Sequence, residues 1–323
     1  MFYIRRQSRM IDTLRRLART SGKTTAVPQT DATRPMTTRA SRGGGPVAAQ
    51  RTHYTSKPVD VPASFLQTAP ETPITFRHIP FAESPLPEYA GCFAVVVDNV
   101  LAPWECAELL RLAEASVVPD ASSADGGRAS SSSPSSSSPW RPALVNMGGG
   151  FEAAVADYRN SDRIIWDCQT VVDRIWRRCL LARCSGGGSG GESMAALLSR
   201  TPKDQRRRQE GGGDWTFERL NERMRFLKYT KGQFFKHDTT FKTHYTVHLY
   251  LNDSAKTSAD DDACVGGATS FLSHDLERQV DVDPRAGSVL IFQHRGLLHQ
   301  GAEVHSGTKY TMRTDILYRW TPE

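Results

Sequence analysis

The last hundred residues constrain the fold most. RMRFLKYTKGQFF, HYTVHLYLND, ATSFLS, QVDVD, GSVLIFQH and KYTMRTDILYRW are short runs rich in β-branched and aromatic residues, separated by Gly, Asp, Asn and Pro. Runs of this length and texture are strands. Upstream, GCFAVVVDNVLAPWECAELLRLAEAS reads as a strand over 93–97, a turn at Asp98–Asn99 and a helix starting near Pro103, whose ring suits a first helical turn. Cys106, Leu109, Leu110 and Leu112 give that helix an apolar stripe. YRNSDRIIWDCQTVVDRIWRRCLLA places Ile165, Val171, Val172, Ile175 and Trp176 at helix-compatible spacing and predicts a second helix. Two helices followed by six or more strands make an α+β chain, with the strands forming a sandwich or barrel.

Hydrophobic residues make up 38% of the 323, low for a chain folded throughout. The net charge of +6 is concentrated at one end: residues 1–51 hold ten Arg and one Lys against Asp12 and Asp31. The basic pI therefore describes a leader and gives no case for a nucleic-acid partner. Within the leader, Met10, Ile11, Leu14 and Leu17 fall at helical spacing among arginines, the pattern of a mitochondrial transit helix; an ordinary basic leader of a cytoplasmic or nuclear protein is the alternative. No apolar run approaches the roughly 18 residues of a membrane span. The expected organisation is a disordered basic leader over 1–76 and one domain over 77–323. Low-complexity inserts at 118–140 and 185–214 interrupt that domain without cutting a hydrophobic pattern. Six cysteines show no CxxC pair and no zinc-ligand spacing, which predicts reduced thiols.

Two histidines and one carboxylate on one face of Fe(II), with the other positions open, form the metal site of non-haem oxygenases. His237, Asp238 and His299 are the candidates here. His237 and Asp238 are adjacent, and adjacent strand residues point to opposite faces, so the pair is one residue too close for a regular strand. His299 follows the strongly apolar strand at 289–292. Lys309 and Arg313 come ten and fourteen residues later, and their offset of four puts both on one strand face. A dicarboxylate needs such a cation at the far end of its pocket.

The order of these pieces resembles the prolyl 4-hydroxylase-like branch of the 2-oxoglutarate and Fe(II)-dependent dioxygenases, over roughly residues 91–320. The matching segments are FAVVVDNVLAPWECAELL, YRNSDR, RMRFLKYTKGQFFKHD, HLYLND with GGATSFL, DVDPRAGSVLIFQHRGLLHQG and KYTMRTDILYR. The resemblance implies a double-stranded β-helix, a jelly-roll or cupin-like barrel, with N-terminal supporting helices. It implies Fe(II) held by His237, Asp238 and His299, 2-oxoglutarate and O2 as cosubstrates, and ascorbate as a further cofactor. Tyr229 matches the tyrosine that hydrogen-bonds the cosubstrate, and Lys309 or Arg313 pairs with its distal carboxylate. Thr269 either lines the pocket or is a plain strand residue. The implied reaction is hydroxylation, with peptidyl proline the default substrate and succinate and CO2 released.

One departure bears on activity. Where the family reads F-K-P-H-x-D-G, this chain reads FFKHDTTF, and only TTFKT separates the aspartate from the next strand. A backbone bulge could bring both side chains round. Alternatively the site is impaired and the chain acts as a binding module, or residues are missing from the sequence at this point. His244 and His248 could in principle replace a ligand, but family position makes them core or surface histidines.

Overall fold

The computed structural model describes residues 49–118, 138–148, 151–155, 159–185, 193–199, 213–235, 245–258 and 263–322. They fall into two compact units, one drawn from 1–54 with 142–160, the other from 55–141 with 161–323. In the smaller unit Ala49–Arg51 and Val145–Gly148 flank Phe151–Ala153 in an antiparallel three-stranded sheet.

The larger unit is built on two sheets. The main sheet runs in the order Asp162–Asp167, Arg223–Tyr229, Lys309–Pro322, Tyr245–Tyr250, Val289–Gln293, Ala94–Asp98, Thr75–His78, with Arg183–Cys184 added in parallel at the edge. The second sheet runs Gln279–Val282, Thr269–Leu272, His299–Gly301, Phe234–Phe235. From residue 223 onward the chain passes repeatedly between the two: 223–229 in the main sheet, 234–235 in the second, 245–250 back in the main, 269–282 in the second, 289–293 main, 299–301 second, 309–322 main. That alternation winds the chain into the double-stranded β-helix expected from the sequence.

Strand alternation gives the main sheet two different faces. Met224, Phe226, Val247, Leu249, Val289, Ile291 and Met312 join the helix residues Cys106, Leu109, Leu112, Val171, Val172 and Ile175 in one apolar cluster. On the other face Val96, Leu290, Phe292 and Tyr250 meet Phe271 and Val282 of the second sheet. The helices thus back the sheet and leave its inner face to the barrel.

The first helix spans Pro103–Ala115, with proline at its start and the Glu105 carboxylate accepting the backbone N–H of Ala102 at 2.8 Å. The second spans Gln169–Leu180. They are tied by a buried two-point ion pair, Arg178 Nη1 to Glu105 Oε2 at 2.7 Å and Nη2 to Oε1 at 2.8 Å. Among the described residues no helix is long and apolar enough to cross a membrane, and all six cysteines are free thiols.

Four boundaries differ from the sequence expectation. Residues 162–167, expected at the start of the second helix, form a strand paired with Arg223–Tyr229, and the helix starts only at Gln169. Ile164, Ile165 and Trp166 favour a pleated surface, and the neighbouring strand decides their state. Ordered chain begins well before residue 77: Phe65, Leu66, Ile74 and Phe76 are buried in the main cluster, and Arg174 donates to the Phe65 carbonyl at 2.6 Å while Arg178 donates to that of Thr68. At the end of the first insert Trp140 is buried and its indole N–H donates to Glu114 Oε1 at 2.9 Å. Inside the second, Met194–Ser199 forms a short helix with Met194 and Leu198 buried. The transit-helix segment lies outside the described residues.

Candidate active site

The inner face of the main sheet carries an unusual set of side chains. By register, Lys309 stands opposite Tyr229, Thr311 beside Leu227 and Tyr250, and Arg313 between Arg225 and His248. Asp315 comes next, opposite Thr246. This is a ladder of polar groups where a barrel core would ordinarily be apolar.

Lys309 is 2% exposed. Its Nζ lies 5.4 Å from the Tyr229 ring centre and 5.7 Å from that of Tyr250. Burial pushes its ammonium down to about 8, and the Cys264 thiol gives the small opposing effect. Two π faces partly solvate the cation without neutralising it. Gly267 makes the room: a Cβ there would sit 3.1 Å from Lys309 Cδ, and its φ of +68° suits glycine.

Tyr250, buried, donates its hydroxyl proton to Thr269 Oγ1 at 2.7 Å. Desolvation pushes the phenol up from its usual range, so the hydroxyl stays protonated. The Thr269 hydroxyl thus orients the tyrosine next to Lys309. The sequence reading missed Tyr250, although its place two residues after His248 puts both on one strand face.

His299 is 8% exposed and opens the His299–Gly301 strand, opposite Phe271. Its Nδ1 donates to the Leu297 carbonyl at 3.1 Å, since a carbonyl can only accept. That bond fixes the tautomer whose Nε2 carries the lone pair, the form a metal needs. Phe292 packs edge-on at 4.7 Å between ring centres and holds the imidazole plane. His237 and Asp238 lie outside the described residues, and among those described there is no group of three metal-binding side chains. His299 could thus offer Nε2 to a metal ion.

Arg313 differs from Lys309 in having an acid. Asp315 Oδ1 lies 3.6 Å from Arg313 Nη2 and 3.7 Å from His294 Nε2, while its Oδ2 takes Arg225 Nη1 at 3.3 Å. Thr246 hydrogen-bonds the same His294 ring. One carboxylate so serves two guanidinium groups, which leaves this face positively charged.

His248, expected to be a core or surface histidine, sits in this ladder beside Arg313. Its ring contacts that of Tyr250, 4.9 Å between centres. Burial, then Lys309, Arg313 and His299, hold its imidazole well below the usual range, so it is neutral. The face as a whole fits an anion with two ends: one buried ammonium without a carboxylate of its own among the described residues, and a guanidinium two rows away.

The family model described as the 2OG-Fe(II) oxygenase superfamily matches residues 224–314, the stretch that carries the ladder from Arg225 to Arg313 but not Asp315. No curated protein matches the chain. Among solved structures, the viral collagen prolyl hydroxylase of Paramecium Bursaria Chlorella virus-1, in its 2OG complex, shares 17% identity, with 70% of this chain and 97% of that one covered and a TM-score of 0.37. A Pseudomonas putida prolyl-4-hydroxylase shares 13% identity over 71% and 95% of the two chains, with a TM-score of 0.42. A Trichoplax adhaerens prolyl hydroxylase, in complex with a hypoxia inducible factor oxygen degradation domain peptide, shares 13% over 55% and 70%, with a TM-score of 0.34.

Proposed function

We propose, from the match of residues 224–314 to the model of the 2OG-Fe(II) oxygenase superfamily, that this chain is a prolyl 4-hydroxylase-like dioxygenase. It hydroxylates a C–H bond with one atom of O2, while the other atom goes to 2-oxoglutarate, which becomes succinate and CO2. The observation that carries the reading is Lys309, an ammonium buried in the barrel with no carboxylate beside it among the described residues. An isolated buried cation is costly, and an anionic ligand offsets that cost.

In this reading Lys309, rather than the already paired Arg313, holds the distal carboxylate of 2-oxoglutarate. Tyr250, oriented by Thr269, and Tyr229 form the walls around it. His299 presents Nε2 to the metal, and His237 and Asp238 complete the ligand set. Iron, when bound with both cosubstrates, supplies the oxidising power that no side chain has; the barrel supplies orientation and a pocket poor in water. The six ordered segments of the prolyl 4-hydroxylase-like pattern support a peptidyl proline as substrate and ascorbate as an accessory. The arginine-rich leader supports mitochondrial import, which a fluorescent fusion with and without residues 1–48 would test by its location.

The direct test is anaerobic equilibrium binding of Fe(II) to the full chain with 2-oxoglutarate present. Saturation at one iron per chain, abolished by His299→Ala, supports the enzyme. Folded protein that retains no iron would instead indicate a binding module in which the adjacent His237 and Asp238 do not assemble a site.

A further inference from the structure

Gln279–Val282 is the end strand of the second sheet. It pairs with Thr269–Leu272 on one side and, among the described residues, with no strand on the other. Register decides which backbone groups this leaves over. The Ser273 N–H donates to the Arg278 carbonyl at 3.0 Å, and antiparallel partners bond at every second position, so Val280 and Val282 turn their N–H and C=O groups to the inner neighbour. Gln279 and Asp281 turn theirs outward. Both residues are exposed, and their donors and acceptors form an open edge ready to receive a further strand.

A short edge with an exposed aspartate is also a way to keep sheets from pairing. The space beside this one argues for an occupant. A cleft of about 320 Å³ opens between the strand and the main-sheet strands Thr75–His78 and Ala94–Asp98, and no residue of the polar ladder lines it. Its apolar floor is Ile79, Val96, Val280 and Val282, and Asp281 stands at its rim. An edge guarded only against pairing has no use for an apolar trough along it. An added strand has one, because every second side chain of that strand turns toward the floor.

Charge says which strand fits. Asp283 has Lys256 at 3.1 Å and Asp98 has Arg77 at 3.7 Å, but Asp281 accepts only from the Gln279 side-chain amide, at 3.2 Å, and has no cation among the described residues. A second copy of this chain would bring a second Asp281 to the edge, like charge toward like charge. A partner residue opposite Asp281 is best a Lys or Arg, and its two neighbours, turned the same way as Val280 and Val282, are best apolar.

We propose that the outer edge of Gln279–Val282, with its cleft, binds an extended segment of a partner protein as an added antiparallel strand, a basic residue between apolar ones lying opposite Asp281. Main-chain hydrogen bonds to Gln279 and Asp281 hold the segment, and the cleft and the Asp281 carboxylate select it. Docking takes place outside the ladder and needs neither metal nor cosubstrate.

The test is fluorescence anisotropy of a labelled, end-capped peptide TVKVT titrated with the full chain. Saturable binding is expected, weakened about tenfold or more when the backbone nitrogen of the central residue is methylated. TVEVT should bind about fivefold more weakly than TVKVT, and Asp281→Lys should reverse that preference. Asp281→Pro should melt like the wild type, since the N–H it deletes points outward, and should abolish binding. Lys309→Met should bind the peptide as the wild type does. Several results would overturn the proposal: no saturable binding up to about 1 mM peptide by folded chain, equal binding of the N-methylated peptide, an unchanged preference for lysine in Asp281→Lys, or binding lost in Lys309→Met, which would put the peptide in the barrel. Self-association of the chain that Asp281→Pro abolishes would also overturn it, by assigning the edge to a second copy. If Asp281→Pro does not fold, Asp281→Lys decides, because it changes one exposed side chain and leaves the backbone as it is.

Discussion

Lys309 and Tyr229 stand directly opposite each other on paired strands, and the lysine ammonium lies 5.4 Å from the centre of the tyrosine ring. The aromatic face tolerates the charge, yet no acid among the described residues neutralises it, so the protein keeps an unfavourable cation buried in its barrel. This is the arrangement expected of a group kept for a ligand and not for stability.

Replacement of that lysine separates the two roles. Lys309→Met should be as stable as the wild type or more so when no ligand is present, because it deletes a desolvated charge. It should weaken 2-oxoglutarate binding by about 2–5 kcal/mol, roughly 30-fold or more. Melting curves and calorimetric titration of the same preparation check both halves; loss of stability with affinity retained would make Lys309 structural.

The same lysine predicts a pH dependence. Its folded-state value, about 8, lies below the 10.5 of the unfolded chain. Between those values the unfolded chain holds the extra proton, so stability rises with pH across the window and the penalty is complete below pH 8. Buried Cys106 and Cys179, pushed up to about 12, act in the opposite sense in the alkaline range, so the quantity to measure is wild type minus Lys309→Met. Affinity for 2-oxoglutarate, which needs the ammonium, should fall as pH rises above about 8 and stay flat in Lys309→Arg, whose guanidinium does not titrate there.

Gly267 gives a milder perturbation of the same seat. Gly267→Ala forces a side chain onto a φ of +68° and pushes Lys309 Cδ from 3.1 Å. The backbone cost is about 1–2 kcal/mol. Displacement of the lysine should lower 2-oxoglutarate affinity by about tenfold. Binding that survives intact would show that the GG pair serves the turn alone.

The two helices depend on their buried ion pair. Glu105→Ala leaves Arg178 charged and stranded between the carbonyls of Val100 and Thr68, and should destabilise the fold by about 3–5 kcal/mol. Urea unfolding measures it. A change under 1 kcal/mol would mean that the arginine finds water and that residues 65–68 are not anchored as described.

Much of this was legible in the sequence for physical reasons that are local. The strands at 245–250, 289–293 and from 309 announce themselves by texture, and Lys309 and Arg313 by an offset that fixes a shared face. Tyr250 goes unnoticed in the sequence, and His248 reads there only as a core or surface histidine, because their meaning comes from cross-strand register, which pairs one with Thr311 and the other with Arg313. Residues 162–167 were misread for the same reason: their partner strand begins some sixty residues later. Phe65 and Leu66 sit in a stretch too short and polar to show a period, and tertiary contacts with Arg174 and Arg178 give it its structure.

The central claim, a barrel that couples iron to 2-oxoglutarate, is tested most directly by succinate. Full-length chain supplied with Fe(II), 2-oxoglutarate and oxygen should form succinate even without a second substrate, at a slow uncoupled rate lost in His299→Ala and strongly reduced in Lys309→Met. Folded chain that binds 2-oxoglutarate yet forms no succinate, or forms it equally with His299→Ala, would contradict the account.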